Sequence, residues 1–263
     1  TLCNAQEPAP HVNCTTTPME TLTDAVRKAF EAAAPERVTA SWGHASGINI
    51  AGIDPRTGEQ YVTMVLASII SGAGATQQMD GWHACGPLCC FGALSSGDIE
   101  LLEYQYPILI HKYGLAQDSG GAGRYRGGSG TVWEVEPLGH EMTVIAFGEG
   151  RQIPTMGAAD AANGLHEPKL GRLEIVHDAD NTSVYTQNTL THIQPGQRAR
   201  NTNPGGGGYG IAFERPVNAV LHDYVQGLIT LEGARLDYGV VITDGEVDLA
   251  ATDAVRATQN ITA

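Results

Sequence analysis

The sequence predicts an α+β protein, β-rich with Gly-rich loops and a helical C-terminal tail. Three observations predict it. Thr131-Val132-Trp133-Glu134-Val135-Glu136 alternates apolar and polar residues with the period of a half-buried strand. Glycine makes up 33 of 263 residues, against a usual ~7%, and its clusters lie between strand-like segments rather than in a collagen-like repeat. In the last third, Val217, Val220, Leu221, Tyr224, Val225 and Leu228 share one helical face.

Taken in order, Pro18–Ala33 reads as a helix. Leu22, Val26, Ala29, Phe30 and Ala33 recur at helical spacing, Thr17 can cap it and Pro35 closes it. Val38–Trp42, Ile48–Ile53 and Tyr61–Ile70 read as strands. Asp54-Pro55-Arg56-Thr57-Gly58 supplies turn residues for a hairpin between the last two. From Ser71 to about Asp98 no period is visible, and so long an irregular stretch is usually functional or covered by a partner. Ile99–Tyr104 is a short helix leading into a strand at Pro107–Tyr113. Strands follow at Thr131–Glu136, Met142–Phe147, Arg172–His177, Ser183–Thr186 and Gln197–Asn201. The tail reads as a helix at Val217–Leu228, a strand at Tyr238–Ile242 and a helix at Val247–Gln259. A soft boundary near Gln117 divides residues 1–116, an N-terminal α/β part completing a domain begun in another chain, from residues 117–263, the β-rich part with C-terminal helices.

The formal net charge of −14 would repel a phosphate backbone, so nucleic acid is not expected as a partner. No run of about 18 apolar residues occurs, so no membrane helix is expected. Five cysteines (Cys3, Cys14, Cys85, Cys89 and Cys90) form no even, regular framework. Reduced thiols and a cytoplasmic location are the expectation. The chain starts at Thr1 without a Met or a signal-like segment. The reading is that an N-terminal portion exists as a separate chain or has been removed.

Two glycine clusters carry the most information. One runs Asp118-Ser119-Gly120-Gly121-Ala122-Gly123-Arg124-Tyr125-Arg126-Gly127-Gly128-Ser129-Gly130, the other Asn203-Pro204-Gly205-Gly206-Gly207-Gly208-Tyr209-Gly210. Neither has the Lys-Ser/Thr of a phosphate loop, and the first precedes a strand, which removes the dinucleotide reading. Two readings stay open. The glycines serve tight turns and close backbone approach. Alternatively, successive N–H groups form a nest for a phosphate or carboxylate, with Ser119, Gly120, Gly121, Gly123, Arg124, Arg126, Gly205, Gly206, Gly207 and Gly208 as its binding residues.

The run Asp118–Gly128 resembles the signature of the hydantoinase B/oxoprolinase family. The run Pro204–Gly210, followed by Val225-x-x-Leu228-Ile229 and Asp237-Tyr238-Gly239-Val240-Val241, is similar to that family's C-terminal signature. The resemblance extends from Thr1 to about Ile242 and corresponds to the C-terminal half of a B-type subunit. The family includes ATP-dependent hydantoinases, 5-oxoprolinase and the acetone and acetophenone carboxylases. The resemblance implies a heteromeric enzyme in which a hydantoinase A-like subunit, carrying ATP and Mg, phosphorylates a carbonyl oxygen. It implies a divalent metal in the missing N-terminal half and a small-molecule substrate. Hydrolysis of a cyclic amide of the hydantoin, oxoproline or lactam type is the activity expected. A ketone carboxylase subunit and a non-catalytic scaffold half are the alternatives.

One segment departs from the family. Hydantoinase-like members tend to carry His-Thr-His-Met-Thr-Asn where this chain has Gly86-Pro87-Leu88-Cys89-Cys90-Phe91. His83, Cys85, Cys89 and Cys90 do not have a recognised zinc spacing, which leaves metal ligation or thiols packed beside Trp82 and Phe91. His44 and His83 are the candidate acid–base residues, since imidazole titrates near neutrality. An N-terminal Thr1 nucleophile is a further possibility raised by the sequence.

Overall fold

A computed structural model describes residues 16–90, 92, 94–159 and 170–259. Thr1, Cys3, Cys14 and Phe91 lie outside them. The chain opens on helix α1 (Thr16–Glu31), followed by the hairpin β1 (Ser46–Ile53) and β2 (Gln60–Met64). Helix α2 (Ile99–Gln105) leads into β3 (Ile108–Leu115), then β4 (Thr131–Pro137) and β5 (Met142–Gly148). Strands β6 (Arg172–Val176), β7 (Thr182–Tyr185), β8 (Thr189–Ile193) and β9 (Arg198–Thr202) follow. The tail holds α3 (Val217–Val225), α4 (Leu231–Tyr238), the two-residue strands β10 (Ile242–Thr243) and β11 (Glu246–Val247), and α5 (Leu249–Gln259).

The strands form two antiparallel sheets of order β2-β1-β5-β8 and β3-β4-β9-β6-β7. Their inner faces share one core. Ile48, Ile50, Met142 and Val144 come from the first sheet, and Trp133, Val135, Leu173 and Ile175 from the second. This is face-to-face packing of half-buried strands. On β4 the alternation places Trp133 and Val135 inward. Glu134, on the other face, accepts from Arg198 Nη1 (2.6 Å) and Arg200 Nε (2.5 Å) of β9, a cross-strand charge pairing that fixes register. Strands from both sides of Gln117 pair in both sheets, so the expected boundary there does not separate one sheet from the other.

The hairpin forms as expected, with Asp54 accepting from the N–H of Gly58 at 2.7 Å. Four expectations change. Val38–Trp42 is not a strand: the Ala40 and Ser41 N–H groups bond Ala75 and Met156 carbonyls, outside any sheet. The strand expected at Tyr61–Ile70 ends at Met64, and Leu66–Ile69 forms a 3-10 turn closed by Ser68 Oγ on Val65 O. Of the strand expected at Tyr238–Ile242, only Ile242 is in a strand, the first residue of β10. Tyr238 ends α4, which Thr230 caps through the Gly233 N–H, and Gly239 closes it at φ +63°, the left-handed C-cap that glycine accepts most readily. Strand β8, Thr-rich and therefore weakly patterned, is an addition.

Helix α1 holds the largest surprise. Thr17 lies inside its first turn rather than capping it. Its apolar stripe faces outward, with Met19, Leu22, Val26 and Phe30 45% to 64% exposed. Its charged stripe faces inward: Glu20, Asp24 and Arg27 are under a tenth exposed. Both stripes have helical spacing, and the usual assignment of the apolar one to the core fails here.

Candidate functional site

The glycine clusters meet at the heart of the molecule. Gly206 N–H donates to Gly128 O (2.9 Å), Gly121 N–H to Gly206 O (2.8 Å), Gly207 N–H to Ser41 O (2.7 Å) and Gly205 N–H to Ser119 O (3.1 Å). Gly127 N–H donates to Gly121 O and Gly128 N–H to Ala73 O. Extended segments thus bond laterally without forming a regular sheet. None of the glycines from Gly120 to Gly130 or from Gly205 to Gly208 has a positive φ. Close approach is what requires them: a Cβ on Gly206 would stand 1.9 Å from Ala73 O, and one on Gly127 1.9 Å from Gly206 O. This packing supports the close-approach reading of the glycines. Gly205, Gly206, Gly207 and Gly208 are buried, and the amides just named point at carbonyls. Gly120 and Gly123 belong to the same packing, with Gly127 O and Tyr125 O beside their Cβ directions.

Ser119 is fully buried, donating to Ala116 O (2.6 Å) and accepting from Gly130 N–H (3.0 Å). Arg124 is exposed on the surface near Glu214 (3.7 Å). Arg126 is buried in a charged network. Its Nε and the Arg215 Nε each donate to Asp223 Oδ2 at 3.1 Å, while Arg215 also holds Asp80 at 2.7 Å. His83 packs against this network. Its Nδ1 accepts from Ser129 N–H (3.0 Å) and its Nε2 faces Arg126 Nη2 (3.3 Å). Burial, and then the Arg126 charge, hold its pKa below the ordinary imidazole value. His83 is therefore neutral at pH 7 and engaged in joining the helical tail to the glycine layer.

His44, one of the two candidate acid–base residues, lines a cleft with a volume of ≈ 560 Å³. Asp24 of α1, Glu149 and Arg151 after β5, and Gln187 before β8 also line it. His44 Nε2 lies 2.7 Å from Asp24 Oδ2, both side chains being buried. Asp24 is supported by Arg27 (3.3 Å), which also bonds Glu31 and Ser41 Oγ. Glu149 accepts from Thr21 Oγ1 at 2.6 Å. The other ring nitrogen, Nδ1, lies toward Gly150, 3.7 Å from where a Cβ would stand. The inverted face of α1 is thus what carries an acid to His44. Asp24, Glu149 and Arg151 were not nominated from sequence. The signal available was the charged repeat Glu20, Asp24, Arg27 and Glu31, as periodic as the apolar one.

Burial disfavours the charged form of His44, but the Asp24 hydrogen bond and charge, with Glu149 and Glu20 behind it, outweigh burial and raise its pKa above 6.5. Burial likewise pushes Asp24 up, and the His44 bond and charge, Ser41 and Arg27 bring it below 3.8. The sign of the linkage follows. The His44 contribution to stability is complete below pH 6.5 and is lost as pH rises through its raised value. The Asp24 contribution holds above pH 3.8 and is lost as pH falls through its lowered value. The thermal stability of the wild type is therefore expected to fall more between pH 6 and pH 9 than that of His44→Gln, as followed by melting temperature. Parallel curves for the two proteins would refute the pairing.

Among the described residues no three His, Cys, Asp or Glu side chains converge on a point fit for a metal ion. Cys85 is a buried free thiol and the Cys90 side chain is partly buried, while Trp82 is largely exposed. Burial raises the Cys85 thiol pKa, which favours the packed-thiol reading over metal ligation for that residue. Among the described residues no helix is long and apolar enough to cross a membrane.

A β-sandwich tied to a helical tail through a glycine-packed layer, with residues 1–212 matching the Hydantoinase B/oxoprolinase family, places the chain in that family. It is 70% identical over 259 residues to the beta subunit of the caprolactamase of Pseudomonas jessenii, covering 98% of this chain and 45% of that protein. It is 31% identical over 260 residues to the B-type subunit of a putative D-/L-hydantoinase of Pseudomonas sp. strain NS671, covering 97% of this chain and 42% of that one. The crystal structure of the ATP-dependent caprolactamase of Pseudomonas jessenii superposes with a TM-score of 0.88 and 61% identity, over 98% of this chain and 45% of that chain. The chain therefore spans a little under half the length of these relatives.

Proposed function

We propose that this chain is part of the B-type subunit of an ATP-dependent cyclic amide hydrolase, acting on a lactam. The observation that carries the reaction class is the 70% identity to the beta subunit of a caprolactamase across 98% of the chain. A hydantoinase A-like partner phosphorylates the amide oxygen with ATP, which makes the unreactive amide carbon electrophilic. The remaining half of the subunit and the small-molecule substrate complete the assembly, and a cytoplasmic location belongs to the same proposal. In the same proposal ATP and Mg belong to the hydantoinase A-like partner, and a divalent metal belongs to the remaining half of the subunit.

Water adds to the activated carbon. The tetrahedral centre then breaks its C–N bond, the electron pair leaving on nitrogen, which must take up a proton, and the acyl phosphate left behind is hydrolysed by a second water to carboxylate and phosphate. His44 is the group proposed to give it. Asp24 holds the ring and favours the imidazolium, while Nδ1 lies on the Gly150 side of the cleft. General acid assistance of this kind supplies about 10²–10⁴ in rate.

The test is a chimera in which this chain replaces the matching span of the Pseudomonas jessenii caprolactamase beta subunit, co-expressed with the rest of that enzyme. ATP turnover is expected with caprolactam and is expected not to depend on bicarbonate. Turnover that appears only with a ketone plus bicarbonate would replace this reading by the carboxylase one. A folded chimera without either activity would leave the scaffold reading.

A further inference from the structure

The outward stripe of α1 and the outer face of the first sheet both present apolar surface. On α1, Met19, Leu22, Val26 and Phe30 are spaced three, four and four residues apart, the spacing of a helix seated in a groove. On the sheet, Asn49 pairs with Met64 and Ala51 with Val62, while Ile145 pairs with Leu190. These residues stand on the face opposite Ile48, Ile50 and Val144. Val62 is 67% exposed and Leu190 61%. An antiparallel sheet with one face in water carries polar residues there. Here the outer face also carries much apolar surface, and among the described residues no α-helix packs extensively on its strands.

The cleft beside α1 meets a second groove on the sheet. The cleft of His44 ends at Asn188, and Asn188 also lines a second groove of ≈ 610 Å³ whose walls include Met64, Leu66, Phe147 and Leu190. On its other side that groove is walled by Pro87 and Cys90, from the turn whose Leu88 N–H bonds Glu20 of α1 at 3.2 Å. Exposed apolar surface gathered on one helix face and one sheet face marks an interface rather than scattered surface residues.

We infer that this region is the seat of the remaining part of the B-type subunit, which adds a third layer over the outer sheet face and α1. The inference rests on the B-type reading above. The occupant follows from length: 259 matched residues make up 45% of the caprolactamase beta subunit, so more than half of such a protein lies outside this span and must find a surface within its own chain. It also explains why α1 buries its charges. With a partner layer on the apolar stripe, the inward face is free to serve His44, and the added layer would roof the cleft.

Hydroxyl-radical footprinting of the isolated chain and of the chimeric subunit, at matched radical dose, tests this. Oxidation of Met19 and Met64 is expected to fall about tenfold in the chimera. Leu22→Asp combined with Val62→Asp should leave the melting temperature of the isolated chain within about 2 °C, since both sites are exposed, yet render the chimera insoluble. A folded chimera in which either Met stays as reactive as in the isolated chain overturns the docking surface and leaves the B-type reading intact. Protection that develops in the isolated chain as its concentration rises would overturn it in favour of a second copy. A chimera that fails to fold, with a soluble isolated chain, removes the B-type reading and this inference with it.

Discussion

Gly206→Ala is expected to leave no folded chain. The new Cβ would stand 1.9 Å from Ala73 O, 2.2 Å from Ala73 C and 2.5 Å from Gly74 N. All three are backbone atoms, so no side chain can rotate away. Opening the contact separates Gly206 from its partners Gly128 and Gly121 and strains the Gly128–Ala73 bond. A buried backbone group left without a partner costs about 1–3 kcal/mol. Three such losses come to about 3–9 kcal/mol, a large share of the ~5–15 kcal/mol that holds a typical domain together, before the steric clash is added. The check is soluble yield and calorimetry, with Gly97→Ala as the control because nothing lies within 4 Å of its Cβ position. Gly97→Ala should melt within about 2 °C of the wild type. A soluble Gly206→Ala protein melting near the wild type would show that the glycine layer can spread without cost. A loop made to hold phosphate would behave differently, losing turnover in a folded complex. The packing shifts the expected damage from catalysis to folding.

That shift shows how the sequence could be read and where it stopped. The glycine clusters are visible as strings of letters, and their family signature is specific. Their physical use is not visible, because glycine serves equally for positive φ and for backbone contact, and only the partner segment distinguishes the two. Ala73 and Gly206, 133 positions apart, make that choice together. Strands β4, β5 and β6 were legible because Thr131–Glu136, Met142–Phe147 and Arg172–Val176 are short runs rich in β-branched and aromatic residues. Strand β8 was not, because Thr189, Thr191 and the exposed Leu190 blur the alternation. Helix α4 was hidden by Gly233 and by the β-branched run after Gly239, which suggests a strand until the cap at Thr230 is recognised.

The site was half legible. His44 was nominated as an imidazole able to titrate near neutrality. Its partner Asp24 was not, since it sits 20 residues away on a helix whose apolar stripe invited the opposite orientation. Hydropathy assumes that whatever is not core faces water, and a face reserved for another layer breaks that assumption. His83 was nominated on the same ground as His44, yet Ser129 N–H and Arg126 occupy its ring nitrogens. Chemical type was readable in both cases, and the surroundings that separate an acid–base group from a structural one were not.

The central claim is that His44, held by Asp24 in its cleft, gives the proton that releases the ring nitrogen of a lactam. The steady-state pH profile of caprolactam-dependent turnover tests it most directly, comparing the wild-type chimera with His44→Gln and Asp24→Asn. The wild-type kcat should decline as pH rises through the raised pKa of His44. His44→Gln should lower kcat by ~10²-fold or more with KM little changed, and should remove that decline. Asp24→Asn should move the decline to lower pH, because the imidazolium loses its carboxylate. Folding of each variant is followed by its melting curve, so a structural loss is told apart from a chemical one. A folded His44→Gln chimera that keeps kcat within about threefold of the wild type and retains the same pH profile would contradict the account.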